Sequence, residues 1–173
     1  MHTRPVEAGD AEALMAIYNP EVLETTVTFD VNPRQLDEQL AWIAEHQGAH
    51  AALVAIDPAA SDGLRGARGE VVLGFASLGT YRPRPAYATT VESSVYVARS
   101  ARGRGVGQLL MANLIEAAAS AGFHAMIARI VGENEGSLHL HEACGFTLVG
   151  IEREVGRKHG KWLDVVELQR LLT

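Results

Sequence analysis

One stretch of this 173-residue sequence carries most of the information about its architecture: Val95-Tyr96-Val97-Ala98-Arg99-Ser100-Ala101-Arg102-Gly103-Arg104-Gly105-Val106-Gly107. A strand pattern ends within it, a turn rich in glycine and arginine follows, and a periodic helix pattern begins at Gly105. Free backbone N–H groups at a helix start, together with the helix dipole, bind anions. Glycines let the backbone approach phosphate oxygens, and arginines add charge-assisted hydrogen bonds. The stretch therefore predicts a phosphate-binding turn.

The spacing of these glycines excludes the two commonest nucleotide-binding loops. A Walker loop needs Gly-Lys-Ser/Thr, whereas Gly107 is followed by Gln108. The dinucleotide fingerprint G-x-G-x-x-G also fails, because starting at Gly103 its last position falls on Gln108. Starting at Gly105, it falls on Leu110. The alternative is a glycine-rich turn that only connects a strand to a helix, and the three arginines woven among the glycines argue against it.

Length and composition predict a single domain, residues 1–173. With 47% apolar and 21% charged residues, the chain is neither disordered nor fibrous. Cys144 is the only cysteine, which excludes a disulfide scaffold and a cysteine-rich zinc site and fits a reducing compartment. The start of the sequence lacks the apolar core of a signal peptide, and no apolar run approaches the ~20 residues of a membrane span. We therefore expect a soluble, cytoplasmic protein.

The charge balance of 15 Lys+Arg against 21 Asp+Glu gives a formal net charge of −6, the opposite sign to that of most nucleic-acid-binding proteins. The basic residues nevertheless form three clusters: Arg99, Arg102 and Arg104; Arg82 and Arg84; and Arg153, Arg157, Lys158 and Lys161. Such clusters on an acidic chain predict small anionic ligands, and neither nucleic acid nor membrane as a partner. No metal site is predicted, because the histidines outside the motifs lack ligand spacing: His2, His46, His50, His124 and His159.

Apolar periodicity predicts alternating helices and strands along the chain. Helices are predicted at 10–18, 33–48, 105–121 and 134–143, and strands at 51–56, 71–78, 91–97, 125–130, 146–155 and 162–168. This order predicts an α+β fold in which helices flank a central, mostly antiparallel sheet with one parallel crossover. The polar segment 57–69 is expected to be a flexible hairpin connection.

The start of the second helix has a recognisable capping pattern. Asn32 is the expected N-cap, Pro33 the first helical residue and Gln35 the capping-box partner. The buried face of this helix is predicted to comprise Leu36, Leu40, Ile43 and Ala44.

Two motifs resemble those of the GNAT superfamily of N-acetyltransferases. Arg102-x-x-Gly105-x-Gly107 after a strand looks like the acetyl-CoA pyrophosphate motif of that superfamily, and residues 140–146, LHEACGF, look like its helix-to-Gly-Phe segment. Four further segments resemble its phosphinothricin / methionine sulfoximine N-acetyltransferase branch: TFD at 28–30, RPRPAY at 82–87, VESSVYV at 91–97 and EVGRK at 154–158. The resemblance implies a GNAT-like sheet that splays at its parallel crossover.

The resemblance also implies acetyl-CoA as a co-substrate. Backbone groups of Val95, Tyr96 and Val97 would align the pantetheine and the acetyl group like an added strand, which leaves N–H groups free for the acetyl carbonyl oxygen. The pyrophosphate would be held by the turn and the start of the helix: Arg102, Gly103, Arg104, Gly105, Val106, Gly107 and Gln108. Asn134 lies where the family has a further cofactor contact.

Glu92 is the candidate general base. Strand alternation places Glu92 and Ser94 on one face and Val91, Ser93 and Val95 on the other. A carboxylate inside a strand is costly unless it is solvated or paired, so the alternative is a solvent-facing or salt-bridged glutamate. Its position in the family that the chain resembles favours a base that deprotonates the substrate ammonium, directly or through a water.

His141 occupies the position at which many superfamily members have a tyrosine thought to protonate the departing thiolate. The phenol is replaced here by an imidazole, as in the phosphinothricin branch, and a histidine with a pKa of about 6.5 suits the same task. The alternative is a buried, hydrogen-bonded histidine. His139 is expected to be structural, and Cys144 is expected to be a small buried residue and not a nucleophile.

Arg82, Arg84 and Tyr87 lie just before the strand of Glu92 and form the predicted acceptor-binding loop. A guanidinium fork suits a carboxylate or a phosphinate, so an amino-acid-like acceptor is expected. The alternative is a surface loop with two solvated arginines. Three more residues line the same pocket by resemblance: Tyr18, Asn19 and Phe29. Two roles remain open for Arg157 and Lys158, a substrate entrance and a dimer contact.

The resemblance implies an acetyl-CoA-dependent N-acetyltransferase. It would acetylate the α-amine of a small amino acid such as L-phosphinothricin or L-methionine sulfoximine, by direct transfer in a ternary complex. Such enzymes protect against inhibitors of glutamine synthetase, which implies herbicide resistance, and the branch commonly forms homodimers. The alternatives are an acetyltransferase for another small amine or a protein N-terminus, and a non-catalytic acetyl-CoA-binding regulator.

Overall fold

A computed structural model describes residues 1–172 of the chain. Seven strands and four helices follow one another in chain order: β1 His2–Pro5, α1 Ala11–Glu24, α2 Leu36–Glu45, β2 Ala52–Asp57, β3 Val71–Thr80, β4 Thr90–Val97, α3 Val106–Ser120, β5 Ala125–Val131, α4 Glu135–Ala143, β6 Thr147–Lys158 and β7 Lys161–Leu171. The strands form one open sheet in the order β1-β2-β3-β4-β5-β7-β6. The expected α+β fold is confirmed.

The sheet is antiparallel except where β4 and β5 run side by side. Only the first part of β4 pairs with β5, from Thr90 opposite Ala125 to Glu92 opposite Ile127. Residues 93–97 of β4 remain paired with β3 but have no partner on the β5 side. The sheet therefore splays after Glu92, at the predicted parallel crossover.

Apolar side chains on the two faces of the sheet form two cores. On one face, Leu110 and Leu114 of α3 are fully buried in a cluster that includes Met126 of β5. On the other face, α1 packs on the sheet through residues such as Leu14, in a cluster that includes Phe75 of β3. Because side chains alternate along each strand, β4 contributes to both faces. The splay thus lies between two packed layers that hold its strands in place.

The start of α2 differs from the prediction. The helix begins at Leu36, one turn later than expected, with Gln35 as N-cap; the Gln35 backbone N–H donates to Glu38 in a capping box. Asn32 is not the cap, because the extended backbone that precedes the helix is at Gln35 (φ −87°, ψ 165°). Asn19 of α1 accepts a hydrogen bond from the Arg34 backbone N–H (2.9 Å) and donates one to its carbonyl (3.0 Å).

The buried face of α2 also differs from the prediction. Gln39 and Ile43 are buried, whereas the expected core residues Leu36, Leu40 and Ala44 are exposed. The helix docks through the face that carries Ile43 and the partly buried Trp42, whose ring makes an edge contact with the Phe75 ring. The prediction is correct at Ile43 alone, because apolar periodicity does not detect a buried glutamine.

Two features of the N-terminal region were not predicted. Strand β1 was not predicted from apolar periodicity because its buried side chain is charged. This side chain, Arg4, hydrogen-bonds to Asp10 (2.8 Å) and to Glu70 (2.7 Å). Helix α1 continues past the expected end at Tyr18 and through Pro20. A proline inside a helix lacks the N–H that would donate to the carbonyl four residues earlier. That carbonyl belongs to Ala16, which is solvent-exposed.

Candidate active site

A cleft of about 740 Å³ opens where β4 and β5 separate. Its walls are the unpaired part of β4, the turn after it, the start of α3, and α4. Ten of the predicted acetyl-CoA residues line it: Val95, Tyr96, Val97, Arg102, Gly103, Gly105, Val106, Gly107, Gln108 and Asn134. Arg104 is absent from the lining, and its guanidinium lies 3.8 Å from the Asp57 carboxylate.

The N-terminus of α3 opens into this cleft. Gly103 and Gly105 have positive φ angles of 71° and 80°, a conformation that glycine adopts without strain. Gly105 is the N-cap, so no side chain caps the helix, and the first backbone hydrogen bond of the helix runs from Leu109 N–H to the Gly105 carbonyl. The N–H groups of the first turn are therefore available to an anion. This geometry fits a pyrophosphate.

Glu21 of α1 forms ion pairs with two arginines of the turn. Its carboxylate is buried, with 4% of the residue exposed, and it accepts hydrogen bonds from Arg99 and Arg102, both at 2.9 Å. Glu21 lines the cleft but was not predicted. A signal was present in the sequence, because Glu21 lies four residues after the buried Ile17, on the same helix face.

His141 lies in the wall of the cleft with 2% of its surface exposed. Its Nδ1 lies 2.8 Å from the Ser137 carbonyl, so Nδ1 carries the proton and Nε2 carries the lone pair. Nε2 is buried without a hydrogen-bond partner among residues 1–172. Burial lowers the pKa of His141, and the Ser137 carbonyl opposes this only in part. The imidazole is thus neutral near pH 7, with an unpaired acceptor atom that is buried in the wall of the cleft.

A second cleft, of about 420 Å³, lies on the α1–α2 side of the sheet and contains Glu92. The two clefts share four lining residues: Val27, Ser94, Tyr96 and Arg129. Because Ser94 and Tyr96 belong to the unpaired part of β4, the clefts meet at the splay. A donor in the first cleft and an acceptor in the second would meet beside Glu92.

The surroundings of Glu92 favour its protonated form. Burial raises the pKa of Glu92; the nearby Arg129 guanidinium opposes the shift, and the carboxylates of Glu167 and Glu152 add to it. Arg129 is hydrogen-bonded to Glu152 and not to Glu92. A carboxylate in this setting accepts a proton more readily than an ordinary glutamate does.

The predicted acceptor residues are dispersed in the structure. Tyr18 and Phe29 line the second cleft, whereas Asn19 lies outside it and holds the backbone of Arg34. The predicted loop residues Arg82, Arg84 and Tyr87 line neither cleft. The Arg82 guanidinium stacks over the rings of two tyrosines of its own loop, Tyr81 (4.9 Å) and Tyr87 (5.7 Å). Two arginines that were not predicted line the second cleft, Arg34 and Arg129.

The β6–β7 hairpin supports one wall of the second cleft. The buried ammonium of Lys158 donates a hydrogen bond to the Thr28 carbonyl (2.8 Å). Gly156 lies so close to the Phe29 ring that a Cβ would overlap it. The sequence left the roles of Arg157 and Lys158 undecided. In the structure Lys158 holds the Thr28–Phe29 segment, whereas the Arg157 guanidinium stacks on the exposed Trp162 ring.

Three further predictions concern Asn134, Cys144 and the absence of a metal site. Asn134 is the N-cap of α4, and its side chain accepts from Ser137 N–H at 3.2 Å. Cys144 is absent from the cleft lining, and burial raises the pKa of its thiol, which makes it a poor nucleophile. Within residues 1–172, no three His, Cys, Asp or Glu side chains come together as a metal site. No helix in the described part of the chain could span a membrane.

The chain is similar to known acetyltransferases over almost its whole length. Residues 12–146 match the acetyltransferase (GNAT) family. The chain is 41% identical to the phosphinothricin N-acetyltransferase of Streptomyces coelicolor, with 99% of this chain and 96% of that protein covered. It is 39% identical to the L-methionine sulfoximine/L-methionine sulfone acetyltransferase of Pseudomonas paraeruginosa, with 96% and 91% covered.

Two solved structures with acetyl-CoA have the same fold. The yncA protein of Salmonella typhimurium with its cofactor acetyl-CoA superposes with a TM-score of 0.90 at 34% identity, covering 100% of this chain and 94% of that chain. A phosphinothricin acetyltransferase of Sinorhizobium meliloti in complex with acetyl-CoA superposes with a TM-score of 0.87 at 34% identity, covering 98% and 86%.

Proposed function

Because the chain belongs to the acetyltransferase (GNAT) family, in its phosphinothricin and methionine sulfoximine branch, we propose that it acetylates the α-amine of a small amino acid such as L-phosphinothricin or L-methionine sulfoximine. Acetyl-CoA is the acetyl donor. The observation that carries the proposal is the meeting of two clefts at the splay, one with an uncapped helix N-terminus and one with the carboxylate of Glu92.

The first cleft suits the donor. The pyrophosphate would bind at the N-terminus of α3, where the backbone N–H groups of the first turn and the helix dipole stabilise negative charge. The thioester would lie along the unpaired residues 94–97 of β4. A backbone N–H directed at the acetyl carbonyl oxygen would stabilise the oxyanion of the transition state by roughly 3 kcal/mol.

Glu92 would act as the base. An amino acid presents an ammonium, which must lose a proton before its nitrogen can attack the carbonyl carbon. The raised pKa of Glu92 suits a group that takes up this proton, directly or through a water. Direct transfer to the amine is supported by Cys144, whose protonated thiol lies outside the cleft lining and offers no route through an acyl-enzyme.

His141 would handle the second proton. When the C–N bond forms and the C–S bond breaks, the nitrogen still carries a proton that it must lose, and the departing thiolate must gain one. Because the Nε2 atom of His141 has a lone pair and no partner, the imidazole would accept a proton before it delivers one to sulfur. It would therefore act as a relay and not as an acid that is already charged.

The setting of the enzyme is part of the proposal. Acetylation removes the positive charge of the α-amine, which supports a role in resistance to phosphinothricin-type herbicides. A cytoplasmic location is supported by the single cysteine, Cys144.

A homodimer is supported by the apolar side chains that the β6–β7 region exposes: Leu148, Val149, Ile151, Val155 and Trp162. Sedimentation or light scattering would measure the oligomeric state.

The experiment that tests the function follows the release of free thiol from acetyl-CoA. L-phosphinothricin and L-methionine sulfoximine serve as acceptors, and the product is identified by mass. We expect thiol release that depends on the acceptor and a product heavier by one acetyl group. The N-acetylated forms of the same amino acids are matched controls, because their α-amine is blocked.

Two other outcomes would contradict the proposed amino-acid substrate. Release with a peptide N-terminus or another amine, but not with these amino acids, would leave an acetyltransferase with a different acceptor. Binding of acetyl-CoA without thiol release in the presence of any amine would indicate a non-catalytic regulator.

A further inference from the structure

We propose that Arg34 is the residue that recognises an oxyanion of the acceptor, its α-carboxylate or an acidic group on its side chain. The proposal rests on the proposed function and assigns the specificity of the second cleft. An amino acid brings an ammonium and an anion into the same pocket. The pocket contains the carboxylate of Glu92 that acts on the ammonium, and a positively charged side chain is the matching group for the anion.

Two arginines line the second cleft, and only one of them has a free charge. Arg129 is occupied by the carboxylate of Glu152. Arg34 forms no ion pair with any carboxylate in residues 1–172. Its guanidinium makes one long hydrogen bond, of 3.3 Å, to the neutral side chain of Gln39. Most of its five N–H donors therefore remain available to a ligand.

Arg34 is also held in place before any ligand binds. Its backbone N–H and carbonyl are both hydrogen-bonded to the side chain of Asn19, fifteen residues earlier on α1. Its guanidinium lies over two aromatic rings, 4.3 Å from the centre of Tyr18 and 5.1 Å from that of Trp42. Stacked guanidinium groups keep their edge donors free, so this arrangement orients the fork and reduces the entropy lost on binding.

Asp30, the other carboxylate of the second cleft besides Glu92, forms no ion pair with Arg34. Asp30 also lines the cleft, but its carboxylate accepts a short hydrogen bond of 2.5 Å from the Tyr18 hydroxyl. Tyr18 thus contacts both charges, with its ring below the guanidinium and its hydroxyl on the carboxylate. This separation leaves the guanidinium to an incoming oxyanion.

The test compares Arg34→Gln with wild type on three acceptors. L-phosphinothricin has a carboxylate and a phosphinate, L-methionine sulfone has only the carboxylate, and the methyl ester of L-methionine sulfone has neither. We expect KM to rise about 10- to 100-fold for the acceptors whose anion Arg34 binds, the usual effect of losing a charge-assisted hydrogen bond, with KM for acetyl-CoA unchanged. Arg68→Gln is the control, since Arg68 is an exposed arginine outside both clefts.

The pattern across acceptors identifies the anion. A rise for both amino acids but not for the ester assigns the carboxylate, and a rise for L-phosphinothricin alone assigns the phosphinate. An equal effect on all three acceptors, or none, would overturn the proposal. Arg34→Lys, which keeps the charge and loses the fork, is expected to fall between wild type and Arg34→Gln and serves if Arg34→Gln does not fold. A wild-type enzyme inactive on all three acceptors would instead overturn the proposed function.

Discussion

Glu92 and Ile127 form the last pair of the parallel β4–β5 ladder. One residue further along, the Ser93 hydroxyl donates to the Ile127 carbonyl at 3.3 Å, and beyond it β4 has no partner on that side. The carboxylate therefore lies at the fork where the strands part, on the face that lines the second cleft. This position explains why a strand carries a half-buried glutamate, because the side chain opens onto the second cleft next to the residues that the two clefts share.

Glu92→Gln is expected to reduce kcat by at least ~100-fold while the dissociation constant for acetyl-CoA stays unchanged. Glutamine has nearly the same shape but cannot take up the proton of the substrate ammonium. Turnover is measured by acceptor-dependent thiol release and binding by calorimetry. The control is Glu116→Gln, an exposed position on α3. A Glu92→Gln enzyme with wild-type turnover would exclude Glu92 as the base.

The acid limb of the pH profile of kcat is expected to lie above the range of an ordinary glutamate. The raised pKa of Glu92 means that it is protonated, and inactive as a base, at pH values where an exposed glutamate is ionised. Glu167→Gln removes one of the charges that raise this pKa, so the limb should move to lower pH. Arg129→Met removes the opposing charge and should move it to higher pH. Limbs that stay in place in both variants would show that another group titrates.

The architecture was largely predictable from local patterns. The helix after Gly105 and the strands of the sheet follow the periodicity of their apolar residues, and the glycine-arginine turn indicates the anion site. Charged residues that are buried in pairs do not produce such a pattern. Strand β1 was missed because its core-facing side chain is Arg4, which is neutralised by Asp10 and Glu70, two partners distant from one another in sequence.

The site was predictable in part for the same reason. Residues on β4 and on the turn are close in sequence, so their shared cleft follows from a motif. The acceptor pocket joins α1, α2 and β4 with the β6–β7 hairpin, and its arginines carry no local pattern. Arg34 lies before the start of α2, where its backbone is hydrogen-bonded to Asn19 of α1, and sequence periodicity does not describe such a contact between two segments.

His141→Phe is expected to lower kcat by about 100-fold with little change in KM for acetyl-CoA, because phenylalanine fills the site but cannot relay a proton. His124→Gln, at an exposed position before β5, is the control. Loss of acetyl-CoA binding in parallel with kcat would indicate a structural role instead.

The stability of the protein should also depend on the protonation of His141. Its pKa is lowered in the folded state, so below a pH of about 6.5 the unfolded chain binds a proton that the folded chain does not. Stability is therefore fully present above this pH and is lost as the pH falls. Denaturation of wild type and His141→Phe at about pH 5.5 and about pH 7.5 measures the contribution, which should be smaller in the variant.

Gly156→Ala is expected to raise KM for the amino-acid acceptor several-fold, about 3- to 10-fold, with KM for acetyl-CoA unchanged. A Cβ at this position would overlap the Phe29 ring, and Phe29 lines only the second cleft. Either the ring or the hairpin must move, at a cost of roughly 1–3 kcal/mol in stability. Gly150→Ala on the same strand is the matched control, since nothing lies within 4 Å of a Cβ there.

Adding Phe29→Leu to Gly156→Ala should recover the lost stability, because the smaller side chain leaves room for the methyl group. If the single variant binds the acceptor as wild type does, the hairpin does not support the acceptor cleft, and the contact between Lys158 and Thr28 serves only the stability of the fold.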